Sequence, residues 1–307
     1  MRKSVTVGSR GSELALIQTE SVVSKIKKAN PYLKVTIARI VTKGDRDSHT
    51  CLGQVEGVGI FVKEIEEALL NGKIDLAVHS LKDMPTEIPQ GLCLAAVTER
   101  LDPRDILVSR AKRLDELTPG SKIGTGSFRR ALQLAAYRPD LETYSIRGNV
   151  DTRLRKVFCG ELDGVILAAA AMSRLGWEEK ISEYLPVEHF LPAVGQGALG
   201  IEARLGDKEI IELLSDINHL PTWQSITAER AFLKALGGGC RAPIAALGTV
   251  EDTVLKLEGM AADATGKKIL RASEEDSATT PEQVGMRLAQ KMLAMGASEF
   301  IAEAKRK

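Results

Sequence analysis

With 307 residues, the chain has room for two or three domains, each with a core of its own. Its 44% hydrophobic and 27% charged residues are ordinary for a soluble globular protein. The net charge of +1 gives no support for a nucleic-acid or membrane-surface partner, so any anion site must be built from arginines gathered locally.

Strands and helices alternate from the start. Val5–Val7 reads as a strand, and Ser12 can cap a helix over about 13–28 that stops before Pro31. Val35, Ile37 and Ile40-Val41 give a second strand. Phe61, Ile65, Ala68 and Leu69 repeat at helical spacing, with Gly72 placed as a C-terminal cap. Ile74–Val78 is a short buried strand running into His79-Ser80-Leu81-Lys82-Asp83-Met84-Pro85. This rhythm predicts a mostly parallel sheet with helices on both faces. A boundary follows near Arg100–Pro103, and the rhythm restarts. Strands at 122–124, 142–145 and 163–167 lead into helices from about Ser127, from about Val150, and up to Gly176. A second break at 191–198 precedes a strand at 200–203. Two α/β units joined by two crossings make a hinged pair with a cleft. The tail is a small α+β unit: a helix near 222–236, strands near 244–250, 254–261 and 267–273, and a long helix. Thr280, Pro281 and Gln283 would open that helix, and Val284, Leu288, Met292 and Met295 would form its apolar face.

Three places carry chemistry. Leu236-Gly237-Gly238-Gly239-Cys240-Arg241-Ala242-Pro243 puts a thiol in a glycine-flanked loop, where Arg241 can favour its thiolate. Such a cysteine is a nucleophile, a point of covalent attachment, or a residue that tolerates a tight turn. The other cysteines, Cys51, Cys93 and Cys159, are far from it and from one another, without C-x-x-C spacing, so neither zinc nor a disulfide framework is expected. The four histidines (His49, His79, His189 and His219) show no paired spacing, and His79 reads as a satisfied strand-end histidine.

The second place is Gly124-Thr125-Gly126-Ser127-Phe128-Arg129-Arg130, a glycine-rich turn opening a helix. Arg129 stands where a dinucleotide fingerprint needs its third glycine, which rejects that reading. What remains is a helix N-terminus with the Thr125 and Ser127 hydroxyls and two arginines, suited to carboxylate or phosphate. Ile146–Arg155 repeats the device, with Asn149 as cap and Arg147 and Arg153 at its positive end. Arg174 closes the next helix, and Arg10 stands in the first βα turn. Strand-end turns of such sheets point to one crevice, so a ligand with several carboxylates fits best. The third place is Asp83, at the end of a buried strand beside Lys82. It is either a carboxylate for moving protons and stabilising a cation, or a turn-forming residue before Pro85.

Gly8-Ser9-Arg10, Thr42-Lys43-Gly44-Asp45, Phe61-Val62-Lys63-Glu64, His79–Pro85, Gly124–Arg130, Ile146–Arg153, Pro192–Gly200 and Gly237–Pro243 together resemble the hydroxymethylbilane synthase, or porphobilinogen deaminase, family. The match keeps the family's order from near residue 5 to past 245. The resemblance implies an α/β fold: two periplasmic-binding-protein-like (type II) domains with a hinge and cleft, plus a small C-terminal α+β domain. The domains would be 1–98 with 198–216 (catalytic Asp, mobile loop 44–60), 103–192 (arginine-rich site) and 220–307 (attachment Cys). It implies condensation of four porphobilinogen molecules, with loss of ammonia, onto a dipyrromethane primer held by a thioether to Cys240. Hydrolysis then releases linear hydroxymethylbilane for porphyrin and haem synthesis. Loss of ammonia leaves an electrophilic azafulvene that the terminal pyrrole attacks. By motif, Asp83 is catalytic. Arg10, Ser80, Lys82, Thr125, Ser127, Arg129, Arg130, Arg147, Arg153, Arg174 and Gln196 hold cofactor or substrate carboxylates. Phe61 is either a lid over the active pyrrole or a core anchor. A cytoplasmic monomer that needs no metal, nucleic acid or membrane is expected; the sequence starts on a strand pattern with no apolar signal segment.

One departure stands out. The family's loop often reads G-G-K-G-[LI]-F, whereas this chain has Glu56-Gly57-Val58-Gly59-Ile60-Phe61, with Val58 at the lysine's place and Glu56 at a glycine's. No loop-lysine role transfers. Two other classes share parts of the pattern. A small-anion binding protein would need neither Asp83 nor Cys240, and a thiol hydrolase would need a histidine base in a comparable loop.

Overall fold

The computed structural model describes residues 2–42, 62–110, 112–238 and 242–305. They form two compact units, one of residues 1–101 and 198–223, the other of 102–197 and 224–307.

The first unit holds β1 (Ser4–Arg10), α1 (Glu13–Ala29), β2 (Lys34–Ile40), α2 (Lys63–Leu70), β3 (Leu76–Ser80), β4 (Leu92–Val97), β10 (Leu199–Arg204) and α6 (Lys208–Ser215). Its sheet has the order β2-β1-β3-β10-β4. Ser12 caps α1 as predicted, its hydroxyl accepting from the Ala15 N–H at 3.4 Å. Alternation then sorts the strands' side chains. Val5, Val7, Leu76, Val78, Leu199 and Ile201 pack with Val22 and Ile26 of α1 on one face. Ala77 and Leu92 join Ile65, Ala68 and Leu69 of α2 in the other layer. His79 is bonded as expected, with Nε2 3.1 Å from Glu202 Oε2 in a buried pair.

The second unit repeats the plan. It contains β5 (Asp105–Ser109), β6 (Lys122–Thr125), α3 (Phe128–Tyr137), β7 (Glu142–Ser145), α4 (Val150–Phe158), β8 (Gly164–Ala168), α5 (Ala169–Leu175) and β9 (Glu183–Tyr184), in the order β7-β6-β8-β5-β9. The same unit holds most of α7 (Leu220–Ala235), then β11 (Ile244–Glu251), β12 (Val254–Ala262), β13 (Ile269–Ser277), α8 (Pro281–Ala294) and α9 (Ala297–Lys305). The last three strands make an antiparallel sheet packed on α7, α8 and α9 through Phe232, Leu257, Leu288 and Ile301.

Three expectations need correction. The five-stranded sheets are not mostly parallel. Each has two parallel and two antiparallel pairings, because β10 and β5 each run against both neighbours. A strand that enters from a crossing, and not through a helix returning to the same sheet, has no need to run parallel. Asn149 and Thr280 occupy cap positions, but neither side chain makes a capping hydrogen bond; Pro281 alone opens α8 as read. Met295 is exposed, lying past the last turn of α8, where Val284, Leu288 and Met292 are fully buried.

Candidate active site

In the first unit, β3 delivers Ser80, Lys82 and Asp83 through a single 3-10 turn, Leu81–Asp83. The turn is pinned from below. Leu81 and Met84 are buried, the Leu81 N–H donates to the Ala198 carbonyl at 3.1 Å, and the Met84 N–H donates to Leu81. On β10, Gly200 makes the fit possible, since a Cβ there would stand 2.3 Å from Leu81 Cδ1 and 3.0 Å from Met84 Sδ. Asp83 is left exposed, with no hydrogen bond or ion pair among the described residues. Ser80 is fixed by Gln18 of α1, whose amide donates to the hydroxyl at 2.9 Å. β1 and β3 are parallel, with Gly8 opposite Ala77, so Arg10 emerges at the same sheet edge as Ser80.

In the second unit, β6 and β7 are parallel, with Thr125 opposite Ser145, so the turns that follow them meet. Thr125 Oγ1 accepts from the Ser127 N–H at 3.2 Å, and Ser127 caps α3 by accepting from the Arg130 N–H at 3.5 Å. Gly126 is required by close approach: a Cβ there would lie 2.8 Å from the Ile146 carbonyl and 3.7 Å from both terminal nitrogens of Arg153. Arg153 is held by a 2.8 Å bond from Nε to the Gly148 carbonyl. Thr125, Ser127 and Arg153 therefore come together as the sequence predicts, with Arg147 half-buried on the turn after β7.

The α3 arginines turn inward. Arg129 and Arg130 are each only 5% exposed, and both reach Asp105, the first residue of β5, which is fully buried. Arg129 Nη1 lies 2.8 Å from Asp105 Oδ2 and donates to the Leu191 carbonyl at 2.6 Å. Arg130 donates to Asp105 Oδ1 from Nε at 2.9 Å and from Nη2 at 2.8 Å, and also to the Ile166 carbonyl and to Gln196 Oε1. Gln196 Nε2 donates to the same Oδ1 at 2.8 Å and to the Pro103 carbonyl at 2.7 Å. Burial alone would raise the Asp105 carboxyl, but the charges of Arg129 and Arg130 outweigh it and hold it well below the usual carboxylate range. Arg174 donates from Nη2 to the Gly197 carbonyl at 2.7 Å, and no carboxylate pairs with it among the described residues. Burial lowers its guanidinium to about 10. Among the described residues, Arg129 and Arg130 thus share the carboxylate of Asp105, while the other fully buried carboxylate nearby, Glu229, accepts from the Gly195 and Gly248 N–H groups.

Sequence reasoning missed Asp105. The signal was present: two consecutive arginines on the apolar side of a helix need a buried counter-charge, and Asp105 opens an otherwise apolar run, Ile106-Leu107-Val108. Phe61 and Cys240 lie outside the described residues, as do loop residues 44–60. The approach to Cys240 is described. Gly237 takes φ +67° at the end of α7, the Gly237 N–H donates to the Lys234 carbonyl, and the Gly238 N–H donates to Leu233. These bonds form a Schellman ending. Two of the glycines thus stop the helix ahead of the cysteine segment.

The family description "Porphobilinogen deaminase, dipyromethane cofactor binding domain" matches residues 5–212, and "Porphobilinogen deaminase, C-terminal domain" matches 223–294. The chain is similar to a protein named porphobilinogen deaminase from Pelobacter propionicus, 48% identical over 301 residues covering 98% of this chain and 97% of the relative. It is similarly close to one of the same name from Desulforudis audaxviator, 47% identical over 303 residues and 98% of each chain. Among solved structures, the periplasmic VFT2 domain of Bordetella pertussis BvgS aligns with 70% of this chain and 87% of its own at 16% identity, with a TM-score of 0.42. Two family segments matched in sequence order, and relatives matched almost end to end, place this chain in the porphobilinogen deaminase family.

Proposed function

We propose that Cys240 carries the dipyrromethane of this family, that the arginines of the second unit hold its carboxylates, and that Asp83 is the acidic group of the reaction. The family's activity is that of a transferase, hydroxymethylbilane synthase, in tetrapyrrole and haem biosynthesis, and dipyrromethane is its cofactor. Porphobilinogen is accordingly the substrate.

The observation that carries this assignment is the excess of buried positive charge. Arg129 and Arg130 share the single carboxylate of Asp105, and Arg174 has only a carbonyl partner among the described residues. Keeping such guanidiniums in place costs stability, which a polycarboxylate ligand offsets. A dipyrromethane carries an acetate and a propionate on each ring, so the donor set fits it. Arg147, Arg153, Thr125 and Ser127 would complete the hold in the second unit, with Arg10, Ser80 and Lys82 serving carboxylates in the first. Gln196, neutral and fixed, would orient Arg130 and Asp105.

When bound, the dipyrromethane supplies the terminal pyrrole carbon on which the product chain grows. The protein's part falls to Asp83. Its turn is rigid below and open above, so its carboxylate is available to accept a pyrrole N–H, to stabilise positive charge as ammonia departs, and to move a proton. Replacing Asp83 with Ala should lower porphobilinogen turnover at least about a hundredfold. Thermal unfolding should stay near wild type, because no bond of the fold among the described residues rests on that carboxylate. Near-normal turnover would remove Asp83 from the mechanism.

The domain division 1–98 with 198–216, 103–192 and 220–307 belongs to the same proposal, as do a monomeric state, independence from metal and a cytoplasmic location. No described helix is long and apolar enough to cross a membrane.

A further inference from the structure

We infer that Asp105 is a positioning residue for the carboxylate-binding arginines: a resident carboxylate that presets Arg129 and Arg130 and limits their excess charge before any ligand arrives. The inference rests on the reading of these arginines as ligand-binding.

The geometry is specific. Asp105 is fully buried, and each of its oxygens meets a different arginine, Oδ2 facing Arg129 and Oδ1 facing Arg130. Gln196 closes the set by donating to Oδ1 while accepting from Arg130. The remaining donors of Arg130 go to a β8 carbonyl, and Arg129 reaches the Leu191 carbonyl. Among the described residues, Arg129 Nε and Asp105 Oδ2 are each buried without a hydrogen-bond partner, so Arg129 and Asp105 meet as an ion pair at 2.8 Å. Two adjacent cations on one helix repel each other in a low-dielectric interior, so without a shared anion they would not hold parallel, inward positions. With Asp105 ionised, the trio carries one net positive charge, a state that attracts one further carboxylate without collapsing around it. Arg129 and Arg130 are thus set by a residue twenty-odd positions earlier, on a different element, with no motif of its own.

The test follows the rate at which unloaded full-length chain, incubated with porphobilinogen, gains the mass of two pyrroles. Three variants are compared with wild type: Asp105→Asn, Asp105→Glu, and Asp105→Asn with Gln196→Glu. The double variant returns a carboxylate to Arg130, the arginine that the Gln196 side chain already meets. Asp105→Asn should load at least about tenfold more slowly. Asp105→Glu and the double variant should each recover much of that loss, and the double variant should also restore cooperative unfolding if Asp105→Asn lowers it. A packing role alone would respond to shape and not to the returned charge. Loading of Asp105→Asn at the wild-type rate would overturn the inference, as would a double variant no better than the single one in both loading and folding. Failure of wild type itself to gain the mass would instead overturn the ligand-binding reading of the arginines.

Discussion

The turn after β3 and the turn after β6 treat charge in opposite ways. At Asp83 the chain buries Leu81 and Met84 and leaves the carboxylate exposed and unengaged by the described residues. At Arg129 and Arg130 it buries the charges themselves and fixes them on Asp105, Gln196 and main-chain carbonyls. The contrast teaches a division of labour. On the proposed assignment, a group that changes its proton or partner during turnover is kept free of the fold, whereas groups that receive a large anion in one orientation are built into it. Stability and function should therefore separate cleanly at the first turn and be entangled at the second.

The largest separation is the Asp83→Ala loss of turnover in an intact fold. Arg174 supplies the next. Its guanidinium is partly buried with a carbonyl partner and no carboxylate among the described residues, so its charge opposes folding, and on the proposed assignment it serves the ligand. Arg174→Met should unfold at the same temperature as wild type or a few degrees higher, a gain of about 1 kcal/mol, while loading with dipyrromethane slows about tenfold. A clear loss of stability with unchanged loading would show that Arg174 is a structural residue.

The smallest effect belongs to Glu66 on α2, far in character from either turn. Burial raises its carboxyl, the negative charge of Glu202 raises it further, and His79 opposes both. A carboxyl raised on folding contributes fully below its unfolded value, and that contribution is lost as pH rises through the folded one. Glu66→Gln should therefore match wild type in urea unfolding near pH 4 and exceed it by a few tenths of a kcal/mol at pH 7. A gain of equal size at both pH values would point to packing instead of charge.

Much of this was legible before any coordinates. Ser12 and Ser127 cap their helices with the hydroxyls that the sequence shows, and Gly176 ends α5 in the left-handed region. The arginine-bearing turns were visible as motifs because glycine, hydroxyl and arginine recur at helix starts. What stayed hidden was non-local. The reversed direction of β5 and β10 depends on which sheet a strand joins after a crossing, and no residue within the strand records that. The same is true of Arg129. Its neighbours announce an anion site, but its inward partners, Asp105 on β5 and the Leu191 carbonyl, lie far away in sequence. Asn149 failed as a cap for the opposite reason: the residue type is right, and its side chain makes no capping bond.

The central claim is a covalent primer on Cys240 held by guanidiniums, and the intact mass of the purified full-length chain tests it most directly. The account predicts wild-type protein heavier than its sequence by two linked pyrroles, coloured by Ehrlich's aldehyde, and a Cys240→Ser chain at the bare sequence mass. A turnover-competent wild-type chain weighing no more than its amino acids would contradict it.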